Sequence, residues 1–357
     1  MSETLVFVGT YTGDDAEHGI YVYKLDSEAG ALEPISAIGG VKNPSFVAIS
    51  PNSKNLYAVS EISDFEGTSV GGVSAFSIDL EKGELQHIND QPCGGSGPCH
   101  LSVDQTGKYI VVANYGGGSV SMLPIEEDGS LGELSDFHQH DGASVNEGRQ
   151  TKSHAHSFFI DSSNQHALCS DLGIDKVMIY KLDLENGKLL PAGHAPIQSG
   201  AGPRHLDFHP NGKFIYVINE LDNMMNVLNY NAETGETSDV EHVPTLPADF
   251  EGDSYCADVH ISADGRFLYG SNRGHNSIVI YSVDAESGKL TLVGHEPTQG
   301  DHPRNFCIDP SGEFLFVANQ NNDNIVPFRI NQETGELDET GHITEVNKPV
   351  CVKMIVT

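Results

Sequence analysis

The chain has 357 residues, with 51 acidic against 19 basic side chains and a net charge of −32. That length can bury a substantial core, and an acidic excess this strong repels phosphate backbones and anionic lipid, which argues against nucleic-acid and membrane-surface binding. Thirty-eight glycines, no Trp and apolar runs that recur from end to end describe a folded chain of many short elements and turns.

The first residues, MSETLVFVGTYTG, enter a strand pattern almost at once, without a basic leader. No run of 18 or more apolar residues occurs anywhere in the chain. Neither a signal peptide nor a spanning helix is expected, and the chain reads as cytoplasmic. Six cysteines (Cys93, Cys99, Cys169, Cys256, Cys307 and Cys351) are scattered singly with no CxxC pair. They read as small buried hydrophobes in a reducing compartment rather than as disulfides or a zinc site.

Two patterns then alternate along the chain. The first is an apolar strand, an Asp or Asn, a Gly-containing turn and a more polar strand: YVYKLDSEAGAL, FSIDLEKGEL, LPIEEDGSLGEL, YKLDLENGKL, YNAETGET, YSVDAESGKL and FRINQETGEL. Its glycines are Gly30, Gly83, Gly129, Gly187, Gly235, Gly288 and Gly335, spaced 53, 46, 58, 48, 53 and 47 residues apart. Asp and Asn start such turns and Gly supplies the positive φ, so each copy predicts a hairpin.

The second pattern is two short apolar strands around a tight turn, at 44–61, 98–115, 155–172, 203–220, 256–273 and 303–320. Near the N-terminus LVFVGTY matches its second strand, and at the C-terminus PVCVKMIV matches its first. Four strands per unit, seven units and one unit shared by the two ends predict an all-β fold. The expected architecture is a single domain over 1–357, a seven-bladed β-propeller whose last blade is closed by the terminal strands. Closure removes the exposed sheet edges of an open array.

In such a fold the start of each innermost strand and the end of the next strand lie together at the mouth of the central channel. Alignment of the copies places Ser45, Cys99, His156, Arg204, Ala257 and Arg304 at the strand starts, followed by Phe46, His100, Ser157, His205, Asp258 and Asn305. The returning ends are Glu61, Tyr115, Leu172, Glu220, Arg273 and Gln320. Only six arginines exist, and three of them fall on this ring. A cationic pocket in an anionic body predicts a small anionic ligand, since guanidinium forks suit carboxylate or phosphate. Structural pairing of each Arg with an acid such as Glu220 is the alternative.

His154 and His156 sit two apart and suit catalysis or substrate binding before metal ligation, for which no third ligand has a diagnostic spacing. His138 and His140 lie in a polar insertion, 135–152, read as a loop over the mouth or as a lid, with the loop preferred. Gly67-Thr-Ser-Val-Gly71 lacks the strand–turn–helix setting of a nucleophile elbow. Gly116-Gly117-Gly118 has no helix to hold phosphate, and the Asp-Gly turns lack calcium-loop spacing. All three read as structural.

At the ring the residues resemble a known family. SHAHS at 153–157, DLG at 171–173, GPRHL at 202–206, NEL at 219–221, SNRGHNS at 271–277 and PRNF at 303–306 resemble the lactonase family of seven-bladed propellers. That family contains propeller-type 6-phosphogluconolactonases of the oxidative pentose phosphate pathway and carboxy-cis,cis-muconate cyclases. The resemblance implies a catalytic set at His156, Arg204, Glu220 and Arg273. His100, His154, His205, Arg304, Asn305 and Gln320 are the expected substrate-binding residues. No cofactor or metal is implied.

The expected chemistry is hydrolysis of 6-phosphoglucono-1,5-lactone. Glu220 or His156 would act as general base, Arg204 or Arg273 would stabilise the oxyanion, and Arg304 would hold the phosphate. A Glu beside guanidiniums tends toward a low pKa, which favours His156 as the base near neutrality. The alternatives are a muconate-type cycloisomerase, a hydrolase of another acidic lactone, and a non-catalytic binding scaffold. The expected partner is a small anionic lactone, and the chain is expected to be a monomer or weak homodimer.

Overall fold

The computed structural model describes residues 3–13 and 17–357, and in it the chain forms seven antiparallel sheets. Their innermost strands are Val47–Ile49, Pro98–Val103, Ala155–Ile160, Pro203–Phe208, Tyr255–Ile261, Pro303–Ile308 and Pro349–Val356. These define blades 1 to 7. Each innermost strand touches the next in a closed cycle around a central channel. The result is a seven-bladed propeller of four antiparallel strands per blade, as the repeats predict.

Closure is carried by blade 7. The C-terminal strand Pro349–Val356 is innermost and pairs with Thr4–Thr10, with Leu5 opposite Ile355 and Gly9 opposite Cys351. Ile20–Asp26 and Ala31–Ile38 complete that sheet. The outermost strand of blade 6 is broken into Leu337–Glu339 and Thr344–Glu345.

The second strand of each blade is packed on both faces by the neighbouring blades, which is why it is continuously apolar rather than alternating. All six residues of Phe214–Asn219 and of Phe314–Asn319 are buried. The outermost strands are mostly exposed and polar. The core is therefore a series of inter-blade layers, such as Leu168 and Val177 of blade 3 against Ile215 and Val217 of blade 4. The same polarity hid one strand from the sequence: Asp136–Gln139 is the outermost strand of blade 2 and pairs with Ser119–Pro124. The insertion thus spans only the residues beyond it, up to the start of blade 3.

The repeat glycines fasten blade to blade. All seven have φ between 63° and 87°. At three of the turns a Tyr of the preceding blade donates its hydroxyl to the glycine carbonyl: Tyr57 to Gly129 at 3.1 Å, Tyr216 to Gly288 at 3.3 Å and Tyr269 to Gly335 at 2.9 Å. A Cβ at Gly288 would lie 2.6 Å from the Phe214 ring, at a φ of 72°.

Gly288→Ala is expected to cost about 1–3 kcal/mol from the left-handed backbone alone, with the contact against Phe214 adding to it. Tyr216→Phe should cost about 1 kcal/mol. Gly294→Ala, whose Cβ meets nothing within 4 Å, should leave the urea midpoint unchanged. Equal midpoints for Gly288→Ala and Gly294→Ala would show that the turns do not fasten the blades.

Candidate active site

The innermost strands carry a recurring irregularity at the mouth of the channel. Pairing slips by one residue between Pro98 and His100, Ala155 and Ser157, Pro203 and His205, and Pro303 and Asn305. The residues passed over are Cys99, His156, Arg204 and Arg304. A bulge leaves its extra residue out of the ladder and re-aims its side chain, and here it places four ring residues at the rim. Blade 5 slips more widely, between Cys256 and Val259.

The facing half of the ring is set by a buried amide. Asn114, Asn219, Asn272 and Asn319 are each fully buried at the end of a second strand. Asn272 and Asn319 donate to the carbonyls of Thr245 and Thr298, and Asn219 donates to Asn226. The next residue in each case is a ring residue: Tyr115, Glu220, Arg273 or Gln320. The Asn pins the strand end, and the residue after it turns to the rim.

These devices surround a cavity of about 320 Å³, lined by Glu61, Cys99, Tyr115, Arg149, His156, Glu220, Tyr255, Arg273, His302 and Arg304. Glu220 is its centre. Its Oε1 accepts from Arg149 Nη2 at 2.5 Å, and its Oε2 accepts from Arg273 Nη2 at 2.8 Å and Arg204 Nε at 3.0 Å. Arg204 also donates to the Ala257 carbonyl, and Arg273 donates to those of Tyr255 and Cys256. The wide slip in blade 5 passes over Ala257 and Asp258, so of these acceptors the Ala257 carbonyl stands out of register with the ladder. Arg304 stacks on Tyr11 and donates to its hydroxyl at 3.0 Å. Among the described residues Arg304 makes no ion pair. Four guanidiniums against Glu61 and Glu220 leave the site net cationic.

Burial alone would raise the Glu220 carboxyl, but Arg273, Arg204 and Arg149 outweigh it and hold Glu220 well below the usual carboxylate range. His156 moves down as well. Burial, then Arg204 and His205, push its imidazole far below the ordinary value. Near neutrality it is therefore a neutral, weakly basic ring, and the expectation that it would be the base tuned to neutrality does not hold. Burial, then Arg273 and Arg304, push His302 to about 4. Burial raises the Cys99 thiol, which donates to the His156 carbonyl at 3.1 Å and is no nucleophile.

Of the expected catalytic residues, His156, Glu220 and Arg273 line the cavity, while Arg204 is 1% exposed and stands behind Glu220. The expected binding residues divide. Arg304 lines the cavity, and His154 stacks on the Tyr115 ring at 4.6 Å with Nδ1 against the Tyr115 carbonyl. Gln320 is outside the cavity lining. His205 and Asn305 instead bind the buried carboxylate of Asp258, His205 at 2.7 Å. His100 lies between Phe46 and Phe159 and faces a recess at the other end of the channel. That recess is larger, about 460 Å³, but Lys353 is the single cation lining it. It lacks the arginines that would favour an anionic lactone.

The sequence missed Arg149, Tyr255 and His302. Arg149 had a signal: it is one of six arginines and lies in the insertion over the mouth. His140 of that insertion is a structural anchor, with Nδ1 2.7 Å from Asp171 and Nε2 2.8 Å from the Tyr180 hydroxyl. Among the described residues no cluster of three or more His, Cys, Asp or Glu is placed to hold a metal ion, and guanidiniums repel one.

A family model described as a seven-bladed β-propeller lactonase matches residues 5–354. The chain is similar to a 6-phosphogluconolactonase of Bacillus subtilis, 39% identical over 311 residues, or 87% of this chain and 86% of that one. It is also 39% identical over 320 residues to a 6-phosphogluconolactonase of Formosa agariphila, covering 86% of each. The periplasmic gluconolactonase of Pseudomonas aeruginosa superposes with a TM-score of 0.92 at 33% identity, over 99% of both chains.

The depressed histidines set an acid limit. His205 is pushed to about 4 by burial, then by Arg204, and His100 and His156 lie well below their ordinary value. Between about pH 4 and 6.5 the unfolded chain binds protons that the folded chain refuses, so stability rises with pH there. Each such histidine contributes up to about 1.4 kcal/mol per pH unit. Urea midpoints in about 0.5 M salt, which screens the surface charge, should fall steeply from pH 6.5 to 4.5. A flat profile would mean these rings are protonated in the fold.

Proposed function

The chain belongs to the lactonase family of seven-bladed β-propellers, from which we propose that it hydrolyses 6-phosphoglucono-1,5-lactone to 6-phosphogluconate. The observation that carries the phosphorylated substrate is Arg304. It faces the cavity, lacks an ion-pair partner among the described residues and is oriented by Tyr11. A guanidinium so placed suits a phosphate better than a neutral sugar hydroxyl. The six cysteines, buried and outside any disulfide, support a reducing compartment and so a cytoplasmic enzyme.

In this reading the lactone carbonyl points to Arg273, whose guanidinium is fixed by two main-chain carbonyls and Glu220. Water attacks the carbonyl carbon, with His156 holding one of its hydrogens and Glu220 accepting the other as a proton. The developing oxyanion is met by Arg273. The ring C–O bond then breaks, and the leaving oxygen takes the proton from Glu220. Arg204 positions Glu220 and does not touch substrate. Guanidiniums do here what a Lewis acid does elsewhere, so the reaction is expected to need no metal.

Chelator-treated protein should accelerate hydrolysis of freshly made 6-phosphogluconolactone over the spontaneous rate, with unphosphorylated gluconolactone a poorer substrate. Glu220→Gln should lower kcat by about 10²–10⁴-fold. Arg304→Met should raise KM for the phosphorylated lactone by about 10–100-fold, the worth of one charged hydrogen bond. Turnover intact in both Glu220→Gln and His156→Ala would sink the assignment of the base. No acceleration of either lactone would turn attention to polycarboxylate lactones.

A further inference from the structure

Of the three guanidiniums on Glu220, Arg149 is held least. Its side chain is 37% exposed, against 2% for Arg204 and 7% for Arg273. The other two are tied to main-chain carbonyls of blade 5, which would be left buried and unpaired if either moved. Apart from Glu220, the side chain of Arg149 has one polar contact among the described residues, the Tyr115 hydroxyl at 3.3 Å.

The loop that carries Arg149 is nonetheless fixed. Gln150 is fully buried and donates to the Leu172 carbonyl at 2.8 Å and to Asp175 at 2.7 Å, while Ser144 donates to Asp175. With the anchor at His140, this makes the insertion a rigid mount for one movable side chain rather than a lid.

We propose that Arg149 is an exchangeable cap on Glu220: the phosphate of the substrate draws the Arg149 guanidinium away, and Glu220 Oε1 is released to accept the proton of the attacking water. The inference rests on the lactonase reading and adds a reason for substrate choice. A phosphate dianion offers Arg149 more charge than a carboxylate already shared among three guanidiniums. Loss of one of those cations also makes Glu220 a stronger base. An unphosphorylated lactone reaches the same cavity but leaves Glu220 capped. The phosphate therefore raises kcat as well as lowering KM, a use of remote binding energy at the reacting centre.

The test separates the phosphate from the lactone. In wild-type protein, inorganic phosphate should stimulate hydrolysis of unphosphorylated gluconolactone several-fold at low millimolar concentration. Arg149→Met should abolish that stimulation and raise kcat on the unphosphorylated lactone. The same variant should lower kcat/KM on the phosphorylated lactone about 10–100-fold, and Arg149→Lys should restore part of it. Equal losses on both lactones in Arg149→Met, or phosphate that inhibits or does nothing, would overturn the exchange. Wild-type protein inert toward both lactones would defeat the lactonase reading instead. The exchange is then judged by calorimetry with inorganic phosphate, where equal affinity in wild type and Arg149→Met overturns it.

Discussion

The site depends on one buried carboxylate. Glu220 is 4% exposed and is shared among Arg149, Arg204 and Arg273. Three guanidiniums converging in a nearly dry rim would repel one another, and the carboxylate makes their approach possible. Ion pairing alone would not repay the loss of water. Further donors go to the carbonyls of Tyr255, Cys256 and Ala257, where the innermost strand of blade 5 slips against its neighbour. The irregularity that would weaken a sheet lies here beside the acceptors that hold the cations.

That arrangement explains why a propeller serves this chemistry. A regular innermost strand points alternate side chains into its two flanking blades. The one-residue slips at the rim of blades 2, 3, 4 and 6 each turn one residue out of the ladder without disturbing the rest of the blade. The buried Asn at the end of each second strand does the complementary task. Stability and function are thereby assigned to different places: inter-blade apolar layers and outer glycine turns hold the ring, and the rim is left to carry charged groups.

How much of this the sequence discloses follows from what repeats. The hairpin glycines and paired strands recur seven times, so their period reveals blade number, closure by the two ends and the alignment that puts Glu61, Cys99, Tyr115, His156, Glu220, Arg273 and Arg304 on one rim. Features that occur once were not legible. Arg149 enters from an insertion with no counterpart in other blades, and Asp136–Gln139 is too polar and short to read as a strand. Repeat position also cannot say which neighbour a side chain chooses. His205 and Asn305 hold the right rank in the alignment but turn to Asp258, a carboxylate that only the closed ring brings between blades 4, 5 and 6. His100 is one place deeper than the rim and faces the opposite recess. The protonation of His156 is not legible for a related reason: the burial that depresses its imidazole arises from closure and not from its neighbours in the chain.

The charge of the whole molecule and the charge of the site act over different distances. A body at −32 opposes the approach of an anionic lactone, but in physiological salt that field fades within about 8 Å of the surface. Inside the rim the guanidiniums are fixed in a medium of low polarisability, where their attraction is much less screened. An anion therefore meets a shallow barrier outside and a steep well inside. Hydrolysis adds a carboxylate to the ligand, and the same net cationic rim attracts it, so the opened product leaves against the well and meets the acidic body only once it is outside the rim.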